Sequence, residues 1–168
     1  MYDSAIYDKL TNFCAYQERC KADVIEKLYK LKINKDEFDI YISKLSDNNF
    51  LNEERYVKAF ISAHSKKKWG KTKIKSALSG KRINGDLIKK YLEDIEDGDY
   101  DEQIKELLQK KWKSIRTGTP RDKKTKLIRF LLSKGFEMGK VLAVMKEMEI
   151  WRLIAIDASI ASLSGSLV

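Results

Sequence analysis

Apolar residues recur three and four positions apart along most of the chain, with polar residues between them. In a helix this spacing places the apolar side chains on one face and the polar side chains on the other. Strand-rich domains need many turns, which use Gly and Pro, whereas this sequence has eight Gly and one Pro. The pattern therefore predicts an all-α protein.

The apolar pattern also repeats about every fifty residues. Residues 24–45 align with residues 74–95 and 127–148 without a gap, at offsets of 50 and 53 residues. A repeat of this length usually marks one supersecondary unit that is used several times. The aligned apolar columns are Val24, Ile74 and Leu127; Leu28, Leu78 and Leu131; Ile33, Ile83 and Phe136; Phe38, Ile88 and Val141; Ile42, Leu92 and Met145; and Leu45, Ile95 and Met148.

Each repeat is expected to contain three helices, the last two joined by a tight link. A unit of about fifty residues buries little surface alone, so neighbouring units should share contacts in an elongated, curved array. The predicted division is 1–50, 51–99 and 100–149 for three repeats and 150–168 for an atypical tail. The predicted helices span 4–18, 21–31 and 35–48; 53–67, 71–80 and 85–96; and 101–115, 120–134 and 138–149.

Residues at several predicted helix ends support these boundaries. Asn34 with Glu37 resembles a capping box, and Asn52 precedes an acidic pair that suits the positive end of a helix. Pro120 suits the first position of a helix, and Gly135 suits the residue that follows one.

The distribution of charge narrows the class of partner. The net charge is +9, and residues 1–50 are close to neutral. Residues 61–90 and residues 110–134 each carry ten Lys and Arg against a single acid, whereas residues 91–106 are acidic. Two basic clusters of this density favour a polyanionic partner.

The sequence predicts no active site. His64 is the single histidine and is expected to lie exposed, whereas Cys14 is expected to pack in the first core. Cys20 stands at a helix start without a base that would make it a nucleophile. The stretch from Trp69 to Thr72 contains Gly-Lys-Thr but lacks the upstream glycines and the preceding strand of a phosphate loop. We therefore expect a protein that is not an enzyme and that uses no metal or cofactor.

The sequence also predicts the cellular compartment in which the protein resides. It contains no run of about 18 apolar residues that would predict a membrane span, and no basic-then-apolar signal pattern at its start. Two cysteines cannot build a disulfide framework, and they lack the spacing of zinc ligands. We expect a cytoplasmic, monomeric protein with no membrane partner.

The stretch from Lys66 to Ile74 places an aromatic residue inside a basic loop that opens a helix. Its lysines can meet phosphates or acidic side chains, and Trp69 can stack on a base or pack over the turn. Packing is the favoured interpretation of Trp69, because an aromatic residue at a helix entry often fixes the turn.

Four stretches of the sequence form one recognisable pattern. Its strongest part is residues 51–61 followed by the run from Lys68-Trp69-Gly70-Lys71 to Lys81-Arg82-Ile83. Residues 129–136 and residues 15–28 belong to it as well. Together these stretches resemble the RecX family of recombinase regulators, with residues 15–28 similar to its first helix pair. The resemblance covers about residues 8 to 149, which is most of the chain.

The resemblance implies a fold of tandem three-helix units and a function in regulation. Members of the family bind in the groove of the RecA–DNA filament and restrain the ATPase, strand-exchange and coprotease activities of RecA. They thereby modulate recombination, DNA repair and the SOS response. The implied partners are the RecA filament and the single- or double-stranded DNA within it.

The candidate contact residues have two sources. Tyr56, Gly70 and Leu131 match the family as well but are expected to serve the core or a turn. The resemblance implies contacts by Arg55, Lys67, Lys68, Trp69, Lys71, Lys73, Arg129 and Lys134. The two basic clusters add Lys66, Lys75, Lys81, Arg82, Lys123, Lys124 and Lys126.

The sequence departs from the family in four places. Asn52-Glu53 stands where the family often has an acidic pair. Cys20 stands where the family usually has a Ser helix cap, which should weaken that cap by about 1 kcal/mol. His64 replaces a common Arg. The tail 150–168 has no counterpart in the family and is expected to form an extra packing helix or an altered terminus.

Two other functions fit the same residues. One is a stand-alone nucleic-acid-binding module that uses its helix-turn-helix pairs on the DNA backbone, and the other is a helical scaffold for an acidic partner. Tight binding to naked DNA with a steep salt dependence would favour the nucleic-acid module.

Overall fold

The structure, a computed structural model, describes residues 3–149 and confirms the all-α prediction, because this part of the chain forms helices and no strands. The predicted extra C-terminal helix falls in the tail 150–168, outside the described residues. The α-helices are α1 Ser4–Tyr16, α2 Lys21–Lys30, α3 Phe38–Asp47, α4 Glu53–Lys66, α5 Lys71–Gly80, α6 Gly85–Glu93, α7 Asp97–Ser114, α8 Pro120–Lys134 and α9 Met138–Glu147, with a 3₁₀ turn at Lys35–Glu37.

The helix boundaries lie within three residues of the sequence prediction except at the start of α7, which comes four residues earlier than predicted. The acidic run before residue 101 looked like a linker, but α7 already begins at Asp97. Acidic residues are favoured in the first turns of a helix because the helix dipole is positive there. Tyr100 supplies the apolar anchor of this early turn, since its ring is buried in the core. The acidic run is therefore part of a helix, and its polarity alone did not distinguish a helix from a linker.

The second helix of each repeat ends in the same way. A backbone N–H two or three residues beyond the helix donates to a carbonyl five residues earlier, which is the hydrogen bond of a Schellman motif. The three bonds lie at aligned positions of the repeat, which supports the alignment made from the sequence. They run from Ile33 N to Leu28 O (3.2 Å), from Ile83 N to Leu78 O (3.3 Å) and from Phe136 N to Leu131 O (3.2 Å).

The residue inside each of these turns has a left-handed backbone. Lys32 has a φ of 58°, Arg82 a φ of 60° and Gly135 a φ of 90°. Glycine adopts this conformation without a steric penalty, whereas a residue with a Cβ does not. Two of the three repeats therefore hold a cationic side chain where the backbone favours glycine.

The described chain divides into two compact units, and these do not follow the repeat boundaries. The first unit comprises residues 3–64 and 75–93, and the second comprises residues 65–74 and 94–149. The helix α5 contributes to both, because its first turn belongs to the second unit and its remainder to the first. The division into three repeats with the boundaries given above stays a prediction.

Each unit has its own core, built from the apolar columns of the repeat. In the first unit Leu10, Val24, Leu28 and Leu45 are completely buried, and Cys14 packs among them as predicted. In the second unit the core is built mainly from residues of α7, α8 and α9. Its fully buried members are Ile104, Leu108, Leu127, Leu131, Val141 and Met145.

Candidate functional site

The predicted basic turn before α5 is joined to the end of α8 by backbone hydrogen bonds. Gly70 N donates to Lys134 O at 2.9 Å, and Thr72 N donates to Gly135 O at 3.1 Å. The first N–H groups of a helix have no partner within it, and the last carbonyl groups likewise have none. Here the amides at the start of α5 donate to the carbonyl groups at the end of α8. Because these amides of the Gly-Lys-Thr stretch are already hydrogen-bonded, they are not available to bind a phosphate.

The hydroxyl of Tyr100 completes this arrangement, which we call the glycine joint. Lys71 N donates to the Tyr100 hydroxyl oxygen at 2.9 Å, and the hydroxyl donates to Glu137 Oε2 at 2.6 Å. Burial raises the pKa of the Tyr100 phenol, and its hydrogen bond to Glu137 raises it further. The phenol therefore keeps its proton and remains the donor to Glu137.

Two glycines allow the backbones at the joint to approach. A Cβ on Gly70 would come closer than 3.0 Å to the backbone of Gly135. A Cβ on Gly135 would come equally close to Lys73, and its φ of 90° already favours glycine. The predicted structural role of Gly70 is thereby explained by a close approach of two backbones.

The equivalent place in the first unit is held by side chains, and we call it the ion-pair joint. Lys81 Nζ lies 2.6 Å from Asp23 Oδ1, whose side chain is only 13% exposed. The other oxygen of Asp23 accepts from Cys20 N at 3.3 Å and from Cys20 Sγ at 3.2 Å. Burial favours the neutral acid, but the hydrogen bonds from Lys81 and Cys20 outweigh it and lower the pKa of Asp23.

Arg55, a predicted contact residue, is engaged within the first unit. Its guanidinium donates through Nε to Glu18 Oε1 at 2.9 Å. It also donates to the Asn49 side chain at 2.8 Å and to the Asn49 carbonyl at 3.0 Å. The two bonds to Asn49 hold the turn between α3 and α4, and the bond to Glu18 ties Arg55 to the link between α1 and α2. The structure therefore gives Arg55 a clear structural role.

Most cations of the basic turn also contact their own unit. The Lys68 amine pairs with Glu106, and Lys71 Nζ donates to Ile95 O at 3.3 Å. The Lys73 amine lies 4.3 Å from the centre of the half-buried Trp69 ring, a cation–π contact. Packing was the favoured interpretation of Trp69, and its burial agrees with that. Of the cations in the basic turn, only Lys66 and Lys67 are exposed rather than half-buried.

The basic cluster of α8 has one buried and several exposed members. Lys123 is 8% exposed, with its amine 5.3 Å from the centre of the Trp112 ring. Lys134 lies half-buried against Phe130, and Lys124 is also half-buried. Lys126 and Arg129 are exposed, as are Lys75 and Arg82 in the first unit.

The groove along α2 and α3 is the larger of two cavities that bear on ligand binding, at about 880 Å³. Its floor includes Ile25, Tyr29 and Phe38, and Lys81 and Arg82 lie among its lining residues. Three acids also line it, so its charge is mixed. They are Glu26, Asp39 and Glu53.

A second cavity, of about 390 Å³, lies where α7 meets α8, and the sequence prediction missed most of its residues. The basic stretch 110–134 was recognised as a whole, but the candidate residues were taken only from α8. The density of Lys and Arg before Pro120 was the signal that would have identified the rest. The lining residues are Lys111, Ser114, Ile115, Arg116, Thr117 and Lys126.

The surroundings of His64 and of the two cysteines bear on whether these side chains could be catalytic. The His64 ring is half-buried and stacked on Phe60 with centres 3.9 Å apart, rather than exposed. Burial raises the pKa of both Cys14 and Cys20, which favours the unreactive thiol. Within residues 3–149, His, Cys, Asp and Glu form no group of three or more that would hold a metal ion. No helix of the described chain has the length and apolar character needed to cross a membrane.

Two family models match the chain. One is described as "RecX, second three-helix domain" and matches residues 52–92. The other is described as "RecX, third three-helix domain" and matches residues 99–145. Both matches coincide with helix triplets of the fold, α4 to α6 and α7 to α9.

Individual relatives agree with the family models. The chain is 30% identical to the regulatory protein RecX of Acinetobacter baylyi over 133 residues, which cover 79% of this chain and 81% of the relative. It is 29% identical to that of Serratia proteamaculans, with 60% of this chain and 58% of the relative covered. The crystal structure of RecX from Lactobacillus salivarius superposes with a TM-score of 0.78 at 26% identity, covering 88% of this chain and 96% of that one. The chain therefore belongs to the RecX family of regulatory proteins.

Proposed function

We propose that the protein is a non-catalytic regulator that binds in the groove of the RecA–DNA filament. By occupying the groove it inhibits the ATPase, strand-exchange and coprotease activities of RecA and thereby modulates recombination and DNA repair. Membership of the RecX family is the observation that carries this proposal. We place the protein in the cytoplasm as a monomer.

The exposed cations of the second and third repeats support a partner that carries DNA. Lys66 and Lys67 at the end of α4 and Arg129 on α8 are exposed on the second unit. Cations at such positions contact phosphates or acidic side chains without having to break an internal ion pair first. Tandem repeats also offer several contacts to a repeating filament, and linked contacts raise the overall affinity above that of each one.

The test is the ATPase rate of RecA on single-stranded DNA as the protein is added. We expect the rate to fall with increasing protein, and the protein to sediment with filaments at moderate salt. Lys66→Gln, Lys67→Gln and Arg129→Gln combined should weaken the inhibition about tenfold or more. Unchanged ATPase rates together with no binding to filaments would contradict the proposal.

A matched variant separates specific contacts from net charge. Lys30, Lys58 and Lys89 form exposed ion pairs with acids one helical turn away, and such pairs contribute little to stability. Their combined change to Gln removes the same three charges, and we expect it to leave the inhibition within about twofold. Electron microscopy of decorated filaments then distinguishes protein along the groove from protein at the filament ends.

The alternative is a stand-alone module for nucleic acid, which the exposed cations also favour. It predicts tight binding to naked DNA and no effect on RecA beyond competition for that DNA. Raising the DNA concentration in the ATPase assay separates the two, because competition is relieved by excess DNA whereas inhibition of the filament is not.

A further inference from the structure

The cavity between α7 and α8 is lined by three cations, two hydroxyl-bearing residues and Ile115, with no acid among them. Lys111, Arg116 and Lys126 supply three positive charges around a volume of about 390 Å³. We propose that this cavity binds a backbone phosphate of a nucleic acid. The inference deepens the proposed function, because it assigns the contact with DNA to the residues of one helical hairpin.

The charge around the cavity is unusually one-sided. Residues 110–129 carry nine Lys and Arg and one acid, Asp122. The Asp122 carboxylate accepts from Thr119 N at 3.1 Å and from Thr119 Oγ1 at 2.7 Å, which caps α8. One capping carboxylate cannot neutralise nine cations, so the hairpin keeps a strong positive potential.

Contacts within the hairpin position the cations at the cavity. Lys126 Nζ donates to Thr117 O at 3.3 Å, which holds the amine against the connecting loop. An ammonium group has three N–H donors, so this bond leaves two for a ligand. The Lys111 amine lies 5.4 Å from the centre of the Phe130 ring, which orients its side chain along α8. Two of the three cations are therefore pre-positioned by the fold.

The other basic regions are less suited to a phosphate. The larger groove of the first unit sets three acids against four cations in its lining, so little net positive charge is left for an anion. In the basic turn before α5, the Lys68 amine is paired with the Glu106 carboxylate. In the hairpin cavity three cations converge with no acid among the lining residues.

The cations beyond the cavity favour a nucleic acid over a single acidic group. Exposed Lys110, Lys113, Arg121 and Arg129 extend the positive surface along both helices. A phosphodiester backbone presents one negative charge at every nucleotide, so it engages cations in series. An isolated carboxylate or phosphate would use only the cavity itself.

The experiment uses the full chain without RecA and a short fluorescein-labelled DNA duplex. Dissociation constants are measured by fluorescence anisotropy at several salt concentrations for the wild type and for Lys111→Gln, Arg116→Gln and Lys126→Gln combined. We expect the affinity of the variant to fall about tenfold or more. The slope of log affinity against log salt should become shallower by about 0.9, since the cavity holds one phosphate and each lost phosphate contact removes about that much.

The control variant carries Lys30→Gln, Lys58→Gln and Lys89→Gln and has the same net charge. Its affinity should stay within about twofold of the wild type. Equal losses in both variants, or an unchanged salt slope, would overturn the phosphate site. Arg116→Gln alone, in the loop between the two helices, repeats the test if the triple variant unfolds.

Further binding measurements identify the ligand, and the RecA ATPase assay separates a failure of this site from a failure of the proposed function. Single-stranded DNA and an RNA duplex show which backbone binds best, and loss of that binding in the triple variant supports the site. A polyglutamate peptide that competes as well as DNA at equal charge would overturn the choice of nucleic acid. Failure of the phosphate site leaves the inhibition of RecA ATPase by the wild type unaffected, so the two proposals fail separately.

Discussion

The two joints between consecutive repeats perform the same task with different chemistry. In both, the start of a repeat's second helix contacts the end of the second helix in the next repeat. The glycine joint uses backbone bonds from Gly70 and Thr72 to the end of α8. The ion-pair joint uses the side chains of Asp23 and Lys81.

The difference shows that equivalent positions of the repeat can be joined either by backbone hydrogen bonds or by side chains. Backbone bonds between helix ends require the two chains to approach closely, which excludes any Cβ at Gly70 or Gly135. Side chains span a longer distance, so the aligned positions in the first unit accept Cys20 and Arg82. The glycine joint is therefore sensitive to volume, and the ion-pair joint is sensitive to charge.

Two sets of reporters distinguish the units in solution. The described tryptophans, Trp69 and Trp112, belong to the second unit, and the first unit contains no tryptophan. Both cysteines, Cys14 and Cys20, are buried in the first unit. Once Trp151, which lies outside the described residues, is changed to Phe, tryptophan fluorescence follows the unfolding of the second unit. Thiol reactivity follows the unfolding of the first.

The largest effect is expected from adding a methyl group to the glycine joint. Gly70→Ala or Gly135→Ala should lower the free energy of unfolding of the second unit by about 3 kcal/mol, because the new Cβ overlaps backbone or the base of a side chain. Urea titration followed by tryptophan fluorescence measures the loss.

Gly139→Ala is the matched control, because it lies in α9 of the same unit with no atom within 4 Å of the added Cβ. Alanine is the better helix former, so we expect a gain of about 0.5 to 1 kcal/mol. A loss at Gly70 that is no larger than the change at Gly139 would show that the backbones are not in close contact.

A smaller effect is expected from removing the charge at the ion-pair joint. Lys81→Met keeps most of the side-chain length but leaves the Asp23 carboxylate unpaired. We expect a loss of about 1 to 2 kcal/mol from the first unit, less than for a fully buried pair because Lys81 is 39% exposed. Thiol reactivity in urea at neutral pH measures it.

The same variant has a predicted dependence on pH. The folded state lowers the pKa of Asp23 below its ordinary 3.8, so the pair stabilises fully above that pH and its contribution is lost as the pH falls through the lowered value. The difference between wild type and Lys81→Met should therefore shrink in acid. Hydrogen exchange of the α2 amides at neutral and acid pH measures it, and a difference that grows in acid would refute the pairing.

The smallest effect is expected at the left-handed turn residues. Arg82→Gly and Lys32→Gly should stabilise the first unit by no more than about 1 kcal/mol, because relief of backbone strain exceeds the greater entropy of the unfolded chain. Arg82→Ala removes the same charge but keeps the Cβ, and it should not gain stability. Equal stability of the glycine and alanine variants would show that the backbone there is unstrained.

Much of the fold was predictable from the sequence because the signals for a helix lie within the helix and at its ends. The three-residue and four-residue spacing of apolar residues gave the helices, and Pro120 and Gly135 marked two of their ends. The start of α7 at Asp97 was missed, since charged residues suit both a linker and the first turn of a helix.

The site was less predictable because a side chain's partner is a property of the folded chain. Nothing near Arg55 in the sequence indicates that Glu18 and Asn49 will hold its guanidinium. In the same way, the lysines before α5 looked like one basic loop, although Glu106 and Trp69 engage some of them. Charge density identified two basic regions, and only the fold separated the cations with internal partners from the exposed ones.

The close approach of Gly70 and Gly135 has a consequence for how the sequence can change over time. A larger residue at either position forces the two helix ends apart, and once they are apart the second glycine no longer confers an advantage. The effects of substituting both should therefore be less than additive, as expected for positions in direct contact. Natural relatives should change these two positions together, or neither of them.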